Sequence, residues 1–124
     1  MFKLILLILF IVCQVSYAGY DLHITKKEFY FNEGECITPA EWHAYMMLDP
    51  SVKSDLQNSA QDFLILIDKQ EIPLIYSHDS CSLSIKNPSP KAIRKMIEIA
   101  NKLHATVQGD DAEIYITPEE IIRR

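Results

Sequence analysis

The chain has 124 residues, a formal net charge of −5 and hydrophobic side chains at 48% of its positions. This length allows one domain with a modest core and excludes two separate domains. The negative charge argues against binding to nucleic acid or anionic lipid, and it either favours a basic protein partner or serves solubility alone.

The first element is an apolar run from Leu4 to Val12, which follows Lys3 and precedes Ser16-Tyr17-Ala18. A positive charge, an apolar run and small residues before the cleavage point are typical of a secretory signal peptide. The run is too short to cross a bilayer core of ~30 Å as a helix. We therefore predict a signal peptide at residues 1–18 that is removed, and a periplasmic or secreted domain at residues 19–124.

Lipid attachment at Cys13 is a less favoured alternative, because Val12 stands where a lipoprotein signal carries a small residue. Cleavage before Gly19 would leave 106 residues and, with Lys3 removed, change the formal charge from −5 to −6. We expect no stable membrane insertion after cleavage.

The N-terminal part of the mature chain predicts a strand and then a helix. Apolar and polar residues alternate over Tyr20–Thr25, and the strand is expected to resume at Phe29–Phe31. Thr38 and Glu41 form a capping-box pattern with Pro39 at the first helical position, so a helix should begin at Thr38. Asp49-Pro50 should end it, because proline disfavours a helical conformation in the preceding residue.

The central part predicts mostly strands. Residues 51–62 are polar and read as a loop. The apolar runs at 63–67 and 72–78 predict an antiparallel hairpin, and alternation over 81–86 predicts a third strand.

The C-terminal part begins with a second helix, capped by Ser89 and ending near Leu103, with apolar residues at helical spacing. Residues 105–108 are extended, 109–111 form a turn and 114–116 form a last strand. A second capping-box pattern at Thr117–Glu120 predicts one or two helical turns at the end. The element order favours an α+β fold: a twisted antiparallel sheet of about five strands with two main helices packed on one face.

Two cysteines remain in the predicted mature chain, and their state is open. An oxidising compartment favours a Cys36–Cys81 disulfide. The alternative is two buried free thiols that pack as small apolar groups. A catalytic cysteine is the least favoured interpretation.

No motif indicates an enzyme. The histidines lack the spacing of a zinc site; they are His23, His43, His78 and His104. His78-Asp79 and a nearby serine are residue types of a hydrolytic triad, but the chain has no Gly-x-Ser-x-Gly elbow. We therefore predict no catalytic residues, no metal ion and no cofactor.

Asp110-Asp111 and Glu113 form an acidic cluster at a glycine turn. The cluster lacks the spacing of a calcium loop. It is either a contact patch for a basic partner or a turn whose carboxylates stay in water.

Three segments in order, Asp21–Lys26 (DLHITK), Ile37–Trp42 (ITPAEW) and Gln108–Glu113 (QGDDAE), resemble a group of small bacterial proteins with the pattern DLHITR…EW…QGDDGE. Shorter matches at Asp49-Pro50 and Lys86-Asn87-Pro88 extend the likeness across nearly the whole mature chain. The chain departs from the pattern at Lys26, at Ala112 and in its predicted signal peptide. These proteins resemble single-domain immunity proteins that accompany secreted bacterial toxins.

The resemblance and the predicted export imply an inhibitor that binds and blocks a toxin acting in the cell envelope. The expected partner is a cognate toxin or effector with a basic surface. Inhibitor complexes bury ~1,600 Å² in total, and aromatic residues supply most of the binding energy. The candidate contact residues are aromatic or acidic, with one histidine: Tyr20, Phe29, Tyr30, Tyr76, His78, Asp79, Asp110 and Asp111. An inhibitor of host lysozyme, a small periplasmic enzyme and an accessory envelope subunit are alternatives.

Overall fold

The structure is a computed structural model that describes residues 20–124, so the predicted signal peptide lies outside the described residues. It confirms the α+β class, with two helices and one antiparallel sheet. The helices are α1 (Pro39–Leu48) and α2 (Pro90–Leu103). The strands are β1 (Asp21–Thr25), β2 (Val52–Ser54), β3 (Asp62–Ile67), β4 (Gln70–Ser77), β5 (Ser82–Lys86), β6 (Thr106–Gln108), β7 (Ile114–Tyr115) and β8 (Ile121–Ile122).

The sheet has eight strands in the order β2-β3-β4-β5-β1-β6-β7-β8, not the predicted five or so. The extra strands are short. β2 and β8 lie at the two edges, and β6 is formed by the segment that was predicted only as extended. β2 lies inside the segment predicted as a loop, where Lys53 pairs with Leu64 of β3. Its sequence is mostly polar because only Val52 points into the core, which explains why the strand pattern is weak.

One face of the sheet, the core face, carries the apolar residue of each alternating pair. Leu22 of β1 lies opposite Ile85 of β5, and Ile24 lies opposite Leu83. Trp42 of α1 and the apolar side of α2 belong to the same buried cluster, so both helices contribute to this core. The other face, the outer face, carries the intervening residues. Across four neighbouring strands these are Ile75, Ser84, His23 and Gln108.

The start of α1 forms as the capping box predicts. The Thr38 hydroxyl accepts the backbone N–H of Glu41 at 3.1 Å, and the Glu41 carboxylate accepts the N–H of Thr38 at 3.1 Å. Ile37 and Trp42 on either side of the cap are both buried. The cap thus fixes the direction in which the chain enters the core.

The predicted C-terminal helical turns are wrong. Thr117 does accept the N–H of Glu120 at 3.0 Å, but the bond closes a turn between β7 and β8. A hydroxyl that bonds three residues ahead serves a helix cap and a tight turn equally well. Ile121 and Ile122 after this turn form β8, which pairs with β7.

Cys36, in the segment between β1 and α1, forms a disulfide with Cys81, and their Cα atoms are 5.1 Å apart. The bridge joins this segment to the beginning of β5, and the backbone N–H of Ile37 donates to the carbonyl of Cys81 at 3.1 Å. The two cysteines are therefore bridged and are not free thiols, which is compatible with an oxidising compartment. None of the helices within residues 20–124 is long and apolar enough to cross a membrane.

We predict that replacing both cysteines by alanine lowers the free energy of unfolding by about 4 kcal/mol, because the bridge closes a long loop in the unfolded chain. The sequence separation of 45 residues sets this magnitude. Urea denaturation of the oxidised wild type and of C36A/C81A measures it. Equal midpoints would contradict the bridge.

A polar contact joins the end of α1 to α2. The ammonium of Lys95 lies 2.8 Å from Asp49 Oδ2, and the same carboxylate accepts from Tyr45 and Ser51. Burial opposes the charge on Asp49, but hydrogen bonds from Lys95, Ser51 and Tyr45 outweigh it and hold the pKa of Asp49 well below its usual range. The contact therefore stabilises the fold only while Asp49 is ionised.

We predict that Asp49→Asn lowers the free energy of unfolding by about 2 kcal/mol at neutral pH, because charge-assisted hydrogen bonds are lost. Asp49 has a lower pKa in the folded protein than its unfolded value of about 3.9. The advantage of wild type over variant should be constant above about pH 5 and shrink as the pH falls below the unfolded pKa. Urea titrations across this range test it, and a difference unchanged down to about pH 2 would refute it.

Candidate functional site

The segment at residues 26–36, here called the aromatic loop, folds over the outer face where β1 and β6 are neighbours. Gln108 of β6 holds it there. The side-chain amide of Gln108 donates to the carbonyls of Lys27 at 3.0 Å and Glu28 at 3.1 Å, and its oxygen accepts the N–H of Tyr30 at 2.9 Å. Gln108 is only 1% exposed. One buried amide thus satisfies three backbone groups of a segment that is neither helix nor strand.

Phe29–Phe31 was predicted to resume the first strand, and that prediction is wrong. These residues lie in a turn, with the N–H of Asn32 donating to the carbonyl of Phe29 at 3.1 Å. Three consecutive aromatic residues have strand propensity, but the bonds to Gln108 replace a strand partner.

The rings of the aromatic loop contact one another and the sheet. Tyr30 stacks on His23 of β1 with centroids 3.8 Å apart and planes 9° apart. Phe31 meets the Tyr30 ring edge-on at 5.1 Å, and Phe29 lies 5.9 Å from Phe31. The Arg124 guanidinium sits over Phe29 at 4.4 Å. Phe31 remains 60% exposed, while Tyr30, which it contacts, is held against His23. The three rings therefore form an aromatic surface that is attached to the sheet.

The acidic turn after β6 is built around Gly109. A Cβ at Gly109 would lie 1.9 Å from a carboxylate oxygen of Glu113, so a side chain there would displace Glu113. The N–H of Gly109 donates to the carbonyl of Glu113 at 2.9 Å, and the N–H of Asp111 donates to its carboxylate at 3.3 Å. Ala112 has a φ of +61°, a conformation that favours glycine.

The acidic turn and the aromatic loop are in contact. The Tyr30 hydroxyl donates to the backbone carbonyl of Asp110 at 3.3 Å, and Asp110 Oδ1 lies 3.5 Å from His23 Nε2. Burial, followed by the negative charges of Asp110 and Asp111, raises the pKa of Tyr30. Asp110 and Asp111 are exposed. We define the aromatic–acidic patch as Phe29, Tyr30, Phe31, Asp110 and Asp111.

The structure brings together four of the eight predicted contact residues, Phe29, Tyr30, Asp110 and Asp111. Tyr20 is exposed before β1, but it is not among the stacked rings of the described residues. His78 and Asp79 are exposed in the turn between β4 and β5.

Tyr76 lies in the core instead, 4% exposed, and its hydroxyl donates to the carbonyl of Ile37 at 2.8 Å. Tyr76 lies two positions after Leu74 in β4, so both side chains belong to the core face. This spacing is the sequence signal that places Tyr76 inward.

The sequence did not single out Gln108, His23, Phe31 or Arg124 for this site. His23 occupies the polar side of the β1 alternation, which is consistent with its place on the outer face. The role of Gln108 depends on contacts with residues some 80 positions away in the chain, and no local pattern contains that information.

A concave surface lies between α1 and α2. It is a groove of about 600 Å³ that includes Tyr45, Asp49, Lys95 and His104. Asp49 and Lys95 bond each other there, so these charges stabilise the helix pair. Within residues 20–124, histidine, cysteine and acidic side chains form no group of three placed to hold a metal ion.

We predict that Gln108→Leu lowers the free energy of unfolding by about 2 kcal/mol, because the buried carbonyl of Lys27 and the part-buried N–H of Tyr30 lose their bonds to this side chain. Amide hydrogen exchange at Tyr30 should accelerate more than exchange in β3 and β4. Gln108→Glu is the matched variant, since it keeps the acceptor for the Tyr30 N–H but places a carboxylate against two carbonyls. Unchanged exchange at Tyr30 in both variants would show that Gln108 does not hold the loop.

The chain matches no protein-family model, and no curated protein or solved structure is significantly similar to it.

Proposed function

We propose that this protein is an exported immunity-type inhibitor that binds a secreted bacterial toxin in the cell envelope through the aromatic–acidic patch. The observation that carries the proposal is the contact between the aromatic loop and the acidic turn on one face of the sheet. The exposed ring of Phe31 and the half-buried rings of Phe29 and Tyr30 lie beside exposed carboxylates. At protein-binding surfaces, large rings supply much of the binding energy and charges steer approach.

Rigidity supports the proposal. Gln108, the stack of Tyr30 on His23 and the Cys36–Cys81 bridge all hold the aromatic loop before any partner arrives. A surface ordered in advance loses less conformational entropy on binding than a flexible loop would. An inhibitor that must block its target quickly benefits from this arrangement.

Charge and compartment also support the proposal. Asp110 and Asp111 are exposed next to the rings, so a toxin with a basic surface would be attracted to them. The predicted signal peptide and the disulfide agree with a partner that acts outside the cytoplasm.

The test of the function is protection of cells. Bacteria that export the toxin encoded by the neighbouring reading frame should survive only when this protein is also exported. Equal killing with and without the protein would reject the proposal. A parallel assay with purified lysozyme separates the alternative, because inhibition of wall lysis without protection from the toxin would indicate a lysozyme inhibitor.

We predict that Phe31→Ala weakens toxin binding by at least about tenfold, through the loss of an exposed ring at the centre of the patch. Asp110→Asn with Asp111→Asn should slow association and reduce its dependence on salt, with a smaller effect on dissociation. Leu48→Ala is the matched control, because Leu48 is an exposed apolar residue of α1 (85% exposed), away from the patch. Surface plasmon resonance measures all three, and an equal loss with Leu48→Ala would argue against the patch.

A further inference from the structure

The aromatic loop covers only part of the outer face. Beneath it, Thr25 and Gln108 are fully or almost fully buried. Across β3 and β4 the same face is open: Leu66 is 53% exposed, Ile75 is 38% exposed and Pro73 is also exposed. Apolar residues on a strand face normally cover a core, so an uncovered strip of them marks a surface that another molecule covers.

Small side chains separate this strip from the aromatic loop. Ile75 of β4 lies opposite Ser84 of β5, and Ser84 lies opposite His23, on which Tyr30 stacks. Ser77 and Ser82 form the adjacent cross-strand pair. Since neighbouring strands are about 4.8 Å apart, the Ile75 and His23 positions are separated by about 10 Å, with the small side chain of Ser84 between them. We call the surface between Ile75 and His23 the channel. Ile75 borders it on one side and the Tyr30–His23 stack on the other, and Ser82 at its end is buried.

The charges around the channel select its occupant. Asp21 and Asp62 belong to this face, and Asp110 borders it, whereas Lys53 is already paired with Glu71 at 2.9 Å. Lys86, opposite Asp21, is the remaining cation of the central strands on this face. A second copy of this chain would bring acidic side chains against acidic side chains, which disfavours self-association. A segment that carries Lys or Arg next to apolar residues would match both the apolar strip on β3 and β4 and the acidic side chains around the channel.

We propose that the channel docks a basic, apolar segment of a partner polypeptide, with the apolar side chains over Leu66 and Ile75 and the cations toward Asp110. This deepens the proposed function and rests on it, because it names the chemistry of the partner that the aromatic–acidic patch contacts. The interface then extends from the patch across the sheet to β3, instead of ending at the loop.

A random peptide library displayed on phage is the probe. Panning against the intact oxidised protein should enrich peptides in which Lys or Arg stands beside apolar residues. Leu66→Lys and Ile75→Lys should each weaken the selected synthetic peptides by at least about tenfold. Leu48→Lys, an equally drastic change on α1, should leave peptide binding unchanged. Leu66 is more than half exposed, so its variant tests the idea even if Ile75→Lys does not fold.

Three results would overturn the inference. They are the absence of any enriched peptide, enrichment of acidic peptides, and a concentration-dependent dimer in sedimentation that Leu66→Lys abolishes. The proposed function fails if the wild-type protein does not protect cells. Equal protection by wild type and by Ile75→Lys would instead leave the toxin inhibitor standing and remove the channel from its interface.

Discussion

The side-chain amide of Gln108 is the contact on which the candidate site depends. It comes from β6, the third strand from one edge of the sheet, and bonds three backbone groups of a segment without regular structure. Without it, the buried carbonyl of Lys27 would be left unpaired beneath the aromatic loop, and the carbonyl of Glu28 would keep only its bond from Arg124. The exposed rings and the acidic turn have fixed relative positions because both are attached to the strand that carries Gln108.

The two faces of the sheet have separate tasks. The core face holds the fold through the apolar cluster with α1 and α2, and the Asp49–Lys95 pair joins the helices at its edge. The outer face contributes little to that core. Instead of core residues, it carries His23 with Tyr30 stacked on it, serines and exposed aliphatic residues. A sheet with one face free of core packing has a broad surface available for recognition.

Local signals in the sequence predicted the parts of the fold that depend on neighbouring residues. The capping box at Thr38 and the alternation over β1 and β5 both have short range, and both were confirmed. The similar pattern at Thr117 failed because its hydrogen bond suits a hairpin turn as well as a helix. The short edge strands β2 and β8 were missed because two or three residues carry too little periodicity to detect.

The candidate site was only half predictable for the same reason. Residue type alone pointed to Phe29, Tyr30 and the aspartates, since aromatic residues are enriched in interfaces and charged residues steer a partner of opposite charge. Tyr76 is also aromatic, but it shares the core face of β4 with Leu74 and is therefore buried. Its position in the strand decides its place, not its residue type. That the loop folds back onto β6 through Gln108 is a long-range fact, and no motif in the chain expresses it.

Hydrogen exchange of the complex tests the central claim most directly, which is that the outer face binds the partner. The protein should be mixed with the toxin against which it protects cells, and amide exchange compared with that of the free protein. We expect slower exchange at residues 29–31, at 110–111 and along β3 and β4, with α1 and α2 unchanged. Protection concentrated on the two helices would contradict the account.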